Sequence, residues 1–403
     1  MGTGYRLAEN HSARFSGHAE GGRRSRLQEA QHTLMLLRKN WTNMETDVVP
    51  QTAEMTDVLV IGGGQAGLVT AYYLTQSGLQ VRVVDRHRRV GDAWRQRYDS
   101  LTLFTSRAFS QLPGLALQGD PAGYPSKDDI ADYLEQYAAH HRLPVATATE
   151  VVRLTRGANA FRADMNTGLT VNASAVVIAT GPFQVPVIPP WAANLATEVM
   201  QLTAATYRNP GQLPSGTVLV AGDGATGRQI ALDLAPTHHV LLAAGKRRHV
   251  LPQRLLGRDI FWWMATLGLY RASRASWVGR LLRARDPFPG KHLELAALKQ
   301  AGIEVIARIT GGGGNTIECA NGDRHGIDAV VWAVGYRDDF SWLKIEERDG
   351  QLHRGGSEKY GLTTVPGLYY VGRSWQSARG SALIGGVAHD AAHVVQHITG
   401  TRV

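Results

Sequence analysis

Two glycine-rich segments carry the most specific chemistry in this chain. One is Gly62-Gly63-Gly64-Gln65-Ala66-Gly67, directly after the apolar run Val58-Leu59-Val60-Ile61. The other is Gly222-Asp223-Gly224-Ala225-Thr226-Gly227, after Val218-Leu219-Val220-Ala221. Each glycine of the Gly-x-Gly-x-x-Gly spacing has a physical task. The first makes a tight turn, the second lets backbone approach a pyrophosphate, and the third lets the next helix pack close to the strand. The helix N-terminus then offers N–H groups and partial positive charge to phosphates. Two such segments predict two dinucleotides on one protein, an arrangement suited to passing a hydride from one cofactor to the other.

The residues downstream of each fingerprint tell the two apart. After the first, an apolar strand ends at Asp85, with Arg86 beside it. Asp85 lies 23 positions beyond Gly62, where a carboxylate accepts the hydroxyls of an adenosine ribose. After the second, Val240-Leu241-Leu242-Ala243-Ala244 runs into Gly245-Lys246-Arg247-Arg248. A carboxylate there would repel a 2′-phosphate, whereas Lys246, Arg247 and Arg248 attract one. The second cofactor is therefore expected to be NADPH rather than NADH.

The elements needed to hold these turns are legible. A strand over Val58–Ile61, a helix over about 66–77 stopped by Gly78, and a strand over 81–85 form a β-turn-α-β unit. A later strand, Ala175–Ala179, ends in Thr180-Gly181-Pro182, and Pro186, Pro189 and Pro190 mark a crossing out of the domain. The second unit spans about 217–244. Ala329–Tyr336, containing Gly335, repeats the shape of the strand that ends at Gly181 and reads as the way back to the first domain. Gly367–Gly372 is another strand entering a glycine, and about 386–398 reads as a final helix. The expectation is an α/β chain with two Rossmann-like dinucleotide-binding domains, the second inserted into a split first: 55–186, then 187–321, then 322–403. Residues 1–54 read as a mobile tail or a non-native extension.

Composition bounds the partners. A 403-residue chain with 45 glycines and 43% hydrophobic residues fits an enzyme of this class. Its net charge of +9 suits a nucleic acid, an anionic cofactor or a membrane surface. There is no metal-ligand spacing and no nucleic-acid module, so the charge is assigned to phosphorylated cofactors and solubility. The one cysteine, Cys319, rules out an intrachain disulfide and Cys-x-x-Cys dithiol exchange; a reducing, cytoplasmic setting is the expectation. No run reaches the roughly 18 apolar residues of a spanning helix. The segment 255–285 is apolar and aromatic with basic neighbours, among them Arg271, Arg274, Arg280, Arg283 and Arg285. It reads first as a lid over the substrate entry and second as a peripheral membrane contact.

Further motifs occur in a fixed order: Gly91-Asp92-Ala93-Trp94 with Tyr98; Tyr124-Pro125-Ser126-Lys127; Ala179-Thr180-Gly181; Tyr207-Arg208-Asn209-Pro210; His249-Val250-Leu251-Pro252; Ala333-Val334-Gly335-Tyr336 with Trp342-Leu343; and Arg379-Gly380-Ser381 before Gly385-Gly386. In this order the chain from about Thr56 onward resembles the flavin-containing monooxygenases, especially their YUCCA-type and CzcO-like branches. The resemblance implies FAD at the first fingerprint and NADPH at the second. It also implies a reduced flavin that reacts with oxygen to give a C4a-(hydro)peroxide, which oxygenates a small organic substrate. The reactions in view are N- or S-hydroxylation, Baeyer–Villiger oxidation, and oxidative decarboxylation of the indole-3-pyruvate type.

Within this frame Trp94 is expected beside the flavin, Thr180 and Gly181 at the end of the first cofactor's strand, and Gly372 at the isoalloxazine edge. Thr203 and Tyr207 are expected at the NADP pyrophosphate or nicotinamide. No acid–base residue is assigned, because the cofactor performs the hard step. Some positions depart from the family pattern. Its Phe-x-Gly-x-x-x-His-x-x-x-Tyr/Phe signature falls on Thr197, Val199, Thr203 and Tyr207, and an active-site asparagine falls near Phe104. Two other readings therefore stand beside monooxygenation: a flavin reductase for a quinone or protein acceptor, and an accessory flavoprotein of cation transport.

Overall fold

The structure, a computed structural model, describes residues 53–245, 249–285, 287–345 and 359–400. Strand β1 (Glu54–Ile61) enters the first fingerprint. Val58, Leu59 and Val60 are buried on both faces, which is why the run is continuously apolar rather than alternating. Helix α1 (Gln65–Gln76) follows. Strands β2 (Val81–Val84), β3 (Val145–Ala146), β4 (Val151–Arg156), β5 (Phe161–Met165) and β6 (Thr170–Ile178) complete the order β3-β2-β1-β6-β5-β4. β1 lies parallel to both β2 and β6. Between β2 and β3 comes helix α2 (Lys127–His140). Ser126 caps it: its Oγ accepts from the Asp129 N–H, and the Asp129 carboxylate accepts from the Ser126 N–H. That is the local task of the Tyr-Pro-Ser-Lys motif.

The second sheet is entirely parallel. Its strands are β7 (Met200–Thr203), β8 (Thr217–Ala221), β9 (His239–Ala243), β10 (Glu304–Ile306) and β11 (Ala329–Trp332), in the order β10-β9-β8-β11-β7. Helix α3 (Ala225–Leu234) follows β8. The expected domain boundary at 321 needs correction. β11 pairs with β8 and β7 along its whole length, so the second sheet runs to Trp332. A parallel Rossmann sheet needs a strand on the other flank of its first strand, and β11 fills that place.

The chain then returns. Strand β12 (Leu368–Tyr370) pairs with the C-terminal half of β6, whose N-terminal half pairs with β5. The last helix, closing the chain over Val387–Thr399, packs along α1 and buries Val387, Ala391, Val394 and Val395. The split first domain is thus closed by its own C-terminal segment.

Candidate dinucleotide sites and the cleft between them

The two fingerprints have the same architecture. Gly62 has φ +111°, and a Cβ there would lie 2.6 Å from the Ala179 carbonyl oxygen. Gly222 has φ +109°, and its Cβ would lie 2.5 Å from the Ala333 oxygen. Ala179-Thr180-Gly181 and Ala333-Val334-Gly335 therefore do equivalent work in the two domains. A Cβ on Gly67 would lie 1.8 Å from the Gly62 oxygen, and one on Gly227 1.9 Å from the Gly222 oxygen; these glycines let helix and strand close. The middle glycines differ. A Cβ on Gly64 or Gly224 meets nothing within 4 Å.

Each middle glycine is also the N-cap of its helix, with no side-chain cap and no acid in the first turn. The N–H groups of Gln65, Ala66 and Gly67, and of Ala225, Thr226 and Gly227, begin helices that open on free space. These cradles fit a pyrophosphate.

Asp85 sits at the end of β2. Its Oδ2 accepts from the Gly63 N–H at 2.6 Å, and its Oδ1 accepts from the His87 N–H at 2.8 Å with the His87 Nδ1 also at 2.8 Å. Burial pushes the carboxyl pKa up, but the His87 and Gly63 bonds outweigh it and hold the group below its ordinary value. The site presents a fixed carboxylate with lone pairs left for ribose hydroxyls. Arg86 beside it is exposed. Gly372, at φ +89°, lies against Ala66, where a Cβ would come to 2.6 Å of the alanine methyl. Fingerprint, Asp85, Ala179–Gly181 and Gly372 therefore converge.

Trp94 lies on the short helix Asp92–Arg95, half-buried against the first domain's core. Arg95 pins that helix to α2 through Asp132 at 2.8 Å and Glu135 at 3.0 Å. Thr203 ends β7 at the carboxyl edge of the second sheet, where its N–H donates to Thr206 Oγ1 at 2.9 Å. Tyr207 points into the second domain's core. It is fully buried, and its hydroxyl donates to Asp233 on the inner side of α3 at 2.7 Å. Lys246, Arg247 and Arg248 lie outside the described residues.

The cradles meet at the crossing between domains. Outgoing Val185–Pro186, four residues beyond Gly181, and returning Tyr336–Arg337, directly after Gly335, pair antiparallel. Arg97 clamps this crossing. Its guanidinium lies 4.7 Å from the Phe183 ring centre and 5.8 Å from that of Tyr336, and it donates to the Tyr336 hydroxyl at 3.2 Å. Tyr98, one residue on, is buried in the second domain's core and donates to Gln229. Asn209 donates to Asp99 at 2.8 Å and Gln229 to the Thr102 oxygen at 3.1 Å. Sequence reasoning missed Arg97 because its partners lie 86 and 239 positions away; only the Trp-x-x-Arg-Tyr run beside Trp94 hinted at it.

The segment 255–285, expected as a lid, packs its inner side on residues of the first domain. Helix α4 (Ile260–Thr266) is capped by Asp259, which accepts from the Phe261 N–H at 2.7 Å. Phe261 stacks on Phe104, with ring centres 6.1 Å apart at 19°, and also touches Phe109 and Tyr270. Phe104, near which the resemblance places an active-site asparagine, packs here against the aromatic cluster around Phe261. Phe109, Leu112, Leu115, Tyr270 and His389 help line a cavity of about 600 Å³. Its wall shares no residue with either cradle. The Tyr270 hydroxyl is buried there with no hydrogen-bond partner, and burial raises its pKa well above the ordinary phenol value.

Paired Rossmann cradles on a split first domain define the flavin- and pyridine-nucleotide-dependent oxidoreductases. Residues 59–250 match the family described as pyridine nucleotide-disulphide oxidoreductase. An oxidoreductase of Geobacillus kaustophilus described as CzcO-like is 43% identical, covering 85% of this chain and 98% of its own. Indole-3-pyruvate monooxygenase YUCCA8 of Oryza sativa subsp. indica is 28% identical over 80% of this chain and 87% of its own. The flavin-containing monooxygenase of Stenotrophomonas maltophilia superposes with a TM-score of 0.68 at 25% identity, over 86% of this chain and 99% of that one. The chain belongs to the flavin-containing-monooxygenase-like oxidoreductases, in their CzcO-like branch. The cofactors of this family are FAD and NADPH. Cys319, buried and alone, leaves no cysteine pair for the disulphide chemistry in the matched family's description.

Proposed function

We propose that the chain is an NADPH-dependent FAD monooxygenase that oxygenates a small, largely apolar organic molecule. The observation that carries this reading is the pairing of two identically built cradles whose exit strands cross at one point, beside Arg97, Phe183 and Tyr336. FAD, when bound, supplies hydride acceptance and oxygen activation. The residues of the chain do the rest. The turn Gly62–Gly67 and the start of α1 bind the FAD pyrophosphate, with Asp85 on its ribose. The turn Gly222–Gly227 and the start of α3 bind that of NADPH, with Lys246, Arg247 and Arg248 on its 2′-phosphate. Arg97 fixes the angle at which the two domains present their cofactors. Phe104, Phe109 and Phe261 keep water from the reacting centre. Tyr270, whose buried hydroxyl lacks a partner, supplies one hydrogen bond to a substrate oxygen or nitrogen in a wall that also carries Gln111, Ser377, Ser381 and His389.

The test is a coupling assay with a panel of apolar ketones, sulfides, amines and 2-oxo acids. NADPH oxidation, oxygen uptake and hydrogen peroxide are followed together. A cognate compound lowers peroxide while an oxygenated product appears in step with NADPH. Fast quinone reduction with little oxygen uptake and no oxygenated product would overturn the reading.

A further inference from the structure

The segment 254–285 exposes Leu255, Leu256, Leu267, Trp277 and Leu281 to solvent, interspersed with arginines. Arg254–Leu255 and Arg258–Asp259 form a two-residue hairpin with Leu256 and Gly257 at its tip. Both tip residues have positive φ, +50° for Leu256 and +74° for Gly257. Such tips are filled by Asn, Asp or Gly. A leucine in the left-handed region, 83% exposed, is costly twice over, in backbone strain and in hydration.

A second element repeats the pattern. Helix α5 (Trp277–Arg285) turns Gly279 inward, so close that a Cβ would lie 2.0 Å from the Ser273 oxygen. Its outward positions are Trp277, Leu281 and Ala284, spaced four and three apart and so on one face. Trp277 is 72% exposed. Arg280 and Arg285 flank that stripe. Val278 and Leu282 turn inward beside Gly279, so the helix carries a second, outward apolar stripe of the kind a soluble amphipathic helix leaves polar.

Among the described residues, none of Arg254, Arg258, Arg271, Arg280, Arg283 or Arg285 forms an ion pair. Arg283 and Arg285 also complement the negative end of their helix. That accounts for their position at the end of the helix.

We infer that this face docks on an anionic lipid bilayer. Leu255, Leu256, Trp277 and Leu281 enter the headgroup boundary, and the arginines meet lipid phosphates. The inner face of the same segment, Phe261 and Tyr270, continues to close the aromatic site, so docking leaves the lid seated. The inference is independent of which substrate is oxygenated.

The test uses the full-length, FAD-loaded protein with vesicles of phosphatidylcholine alone or with phosphatidylglycerol, in a flotation assay. Binding to the anionic vesicles is expected, roughly tenfold or more weaker in 0.5 M salt. Leu256→Asp and Trp277→Asp are each expected to weaken it roughly tenfold, and Arg280→Gln with Arg283→Gln by a similar factor. Flavin content and melting temperature serve as controls that the variants fold. The emission of Trp277, isolated among the nine tryptophans as the difference between the parent and Trp277→Phe, is expected to shift to shorter wavelength on anionic vesicles. No flotation with anionic vesicles would overturn the inference, as would flotation unchanged by the Leu256→Asp/Trp277→Asp double variant or equal flotation with neutral vesicles. Loss of a dimer in those variants on gel filtration would also overturn it, since the patch would then be covered by a second copy.

Discussion

Gly64 and Gly67 lie one turn apart and answer to different demands. Gly67 is needed by the fold, since its Cβ would overlap the Gly62 oxygen at 1.8 Å. Gly64 faces open space at φ −81°, so only a ligand can require its bareness. Gly64→Ala is therefore expected to cost about 1 kcal/mol or less of apo stability, the difference between glycine and alanine at an N-cap. It should weaken FAD binding at least roughly tenfold, because a methyl would stand where the pyrophosphate approaches. Gly224→Ala should leave FAD content intact and raise the NADPH KM instead. Flavin titration and NADPH kinetics on the two variants check this.

Asp85 gives a pH prediction of defined sign. Its folded pKa is depressed, so its stabilising contribution is complete above the free carboxylate value of about 3.9 and is lost only as pH falls through the lower folded value. Asp85→Asn should therefore destabilise the protein by ~1–2 kcal/mol at pH 7. The gap to the parent should narrow below about pH 4, as read by denaturant titrations across pH.

At the scale of elements, the proposed lid role of 255–285 rests on a contact between distant segments, Phe104 and Phe261. Phe261→Ala removes a fully buried ring and should cost ~3–4 kcal/mol. It should also raise peroxide released per NADPH several-fold, because the aromatic seal over Phe104 opens; a stable variant with unchanged coupling would refute the lid role. The units around each fingerprint are legible in sequence because their signals are local: an apolar run, three glycines and an amphipathic helix within some thirty residues. β3 and β4–β5 leave little trace, since two-residue and solvent-edged strands give weak periodicity. β11 is misplaced by sequence for a different reason. Its ending, Ala333-Val334-Gly335, copies Ala179-Thr180-Gly181 because both close a fingerprint turn, so similarity of role looks like membership of one domain. For Tyr207, the motif does not reveal which way the side chain points, and the structure turns it into the core.

For the whole molecule, domain coupling runs through a few long-range contacts. Tyr98 belongs in sequence to the first domain and in space to the core of the second. The parent is expected to unfold in one calorimetric transition. Tyr98→Ala, which empties that position and frees Gln229, should lose ~3–5 kcal/mol and resolve two transitions. A single unshifted transition would mean the domains are held by something else.

The central claim is that hydride taken up at one cradle is spent, across the Arg97 crossing, on splitting oxygen. The most direct measurement is turnover under ¹⁸O₂ with NADPH and the substrate that suppresses peroxide. One labelled oxygen atom in the product per NADPH consumed is the predicted result. Label found only in peroxide and water, with product unlabelled or absent, would contradict the account.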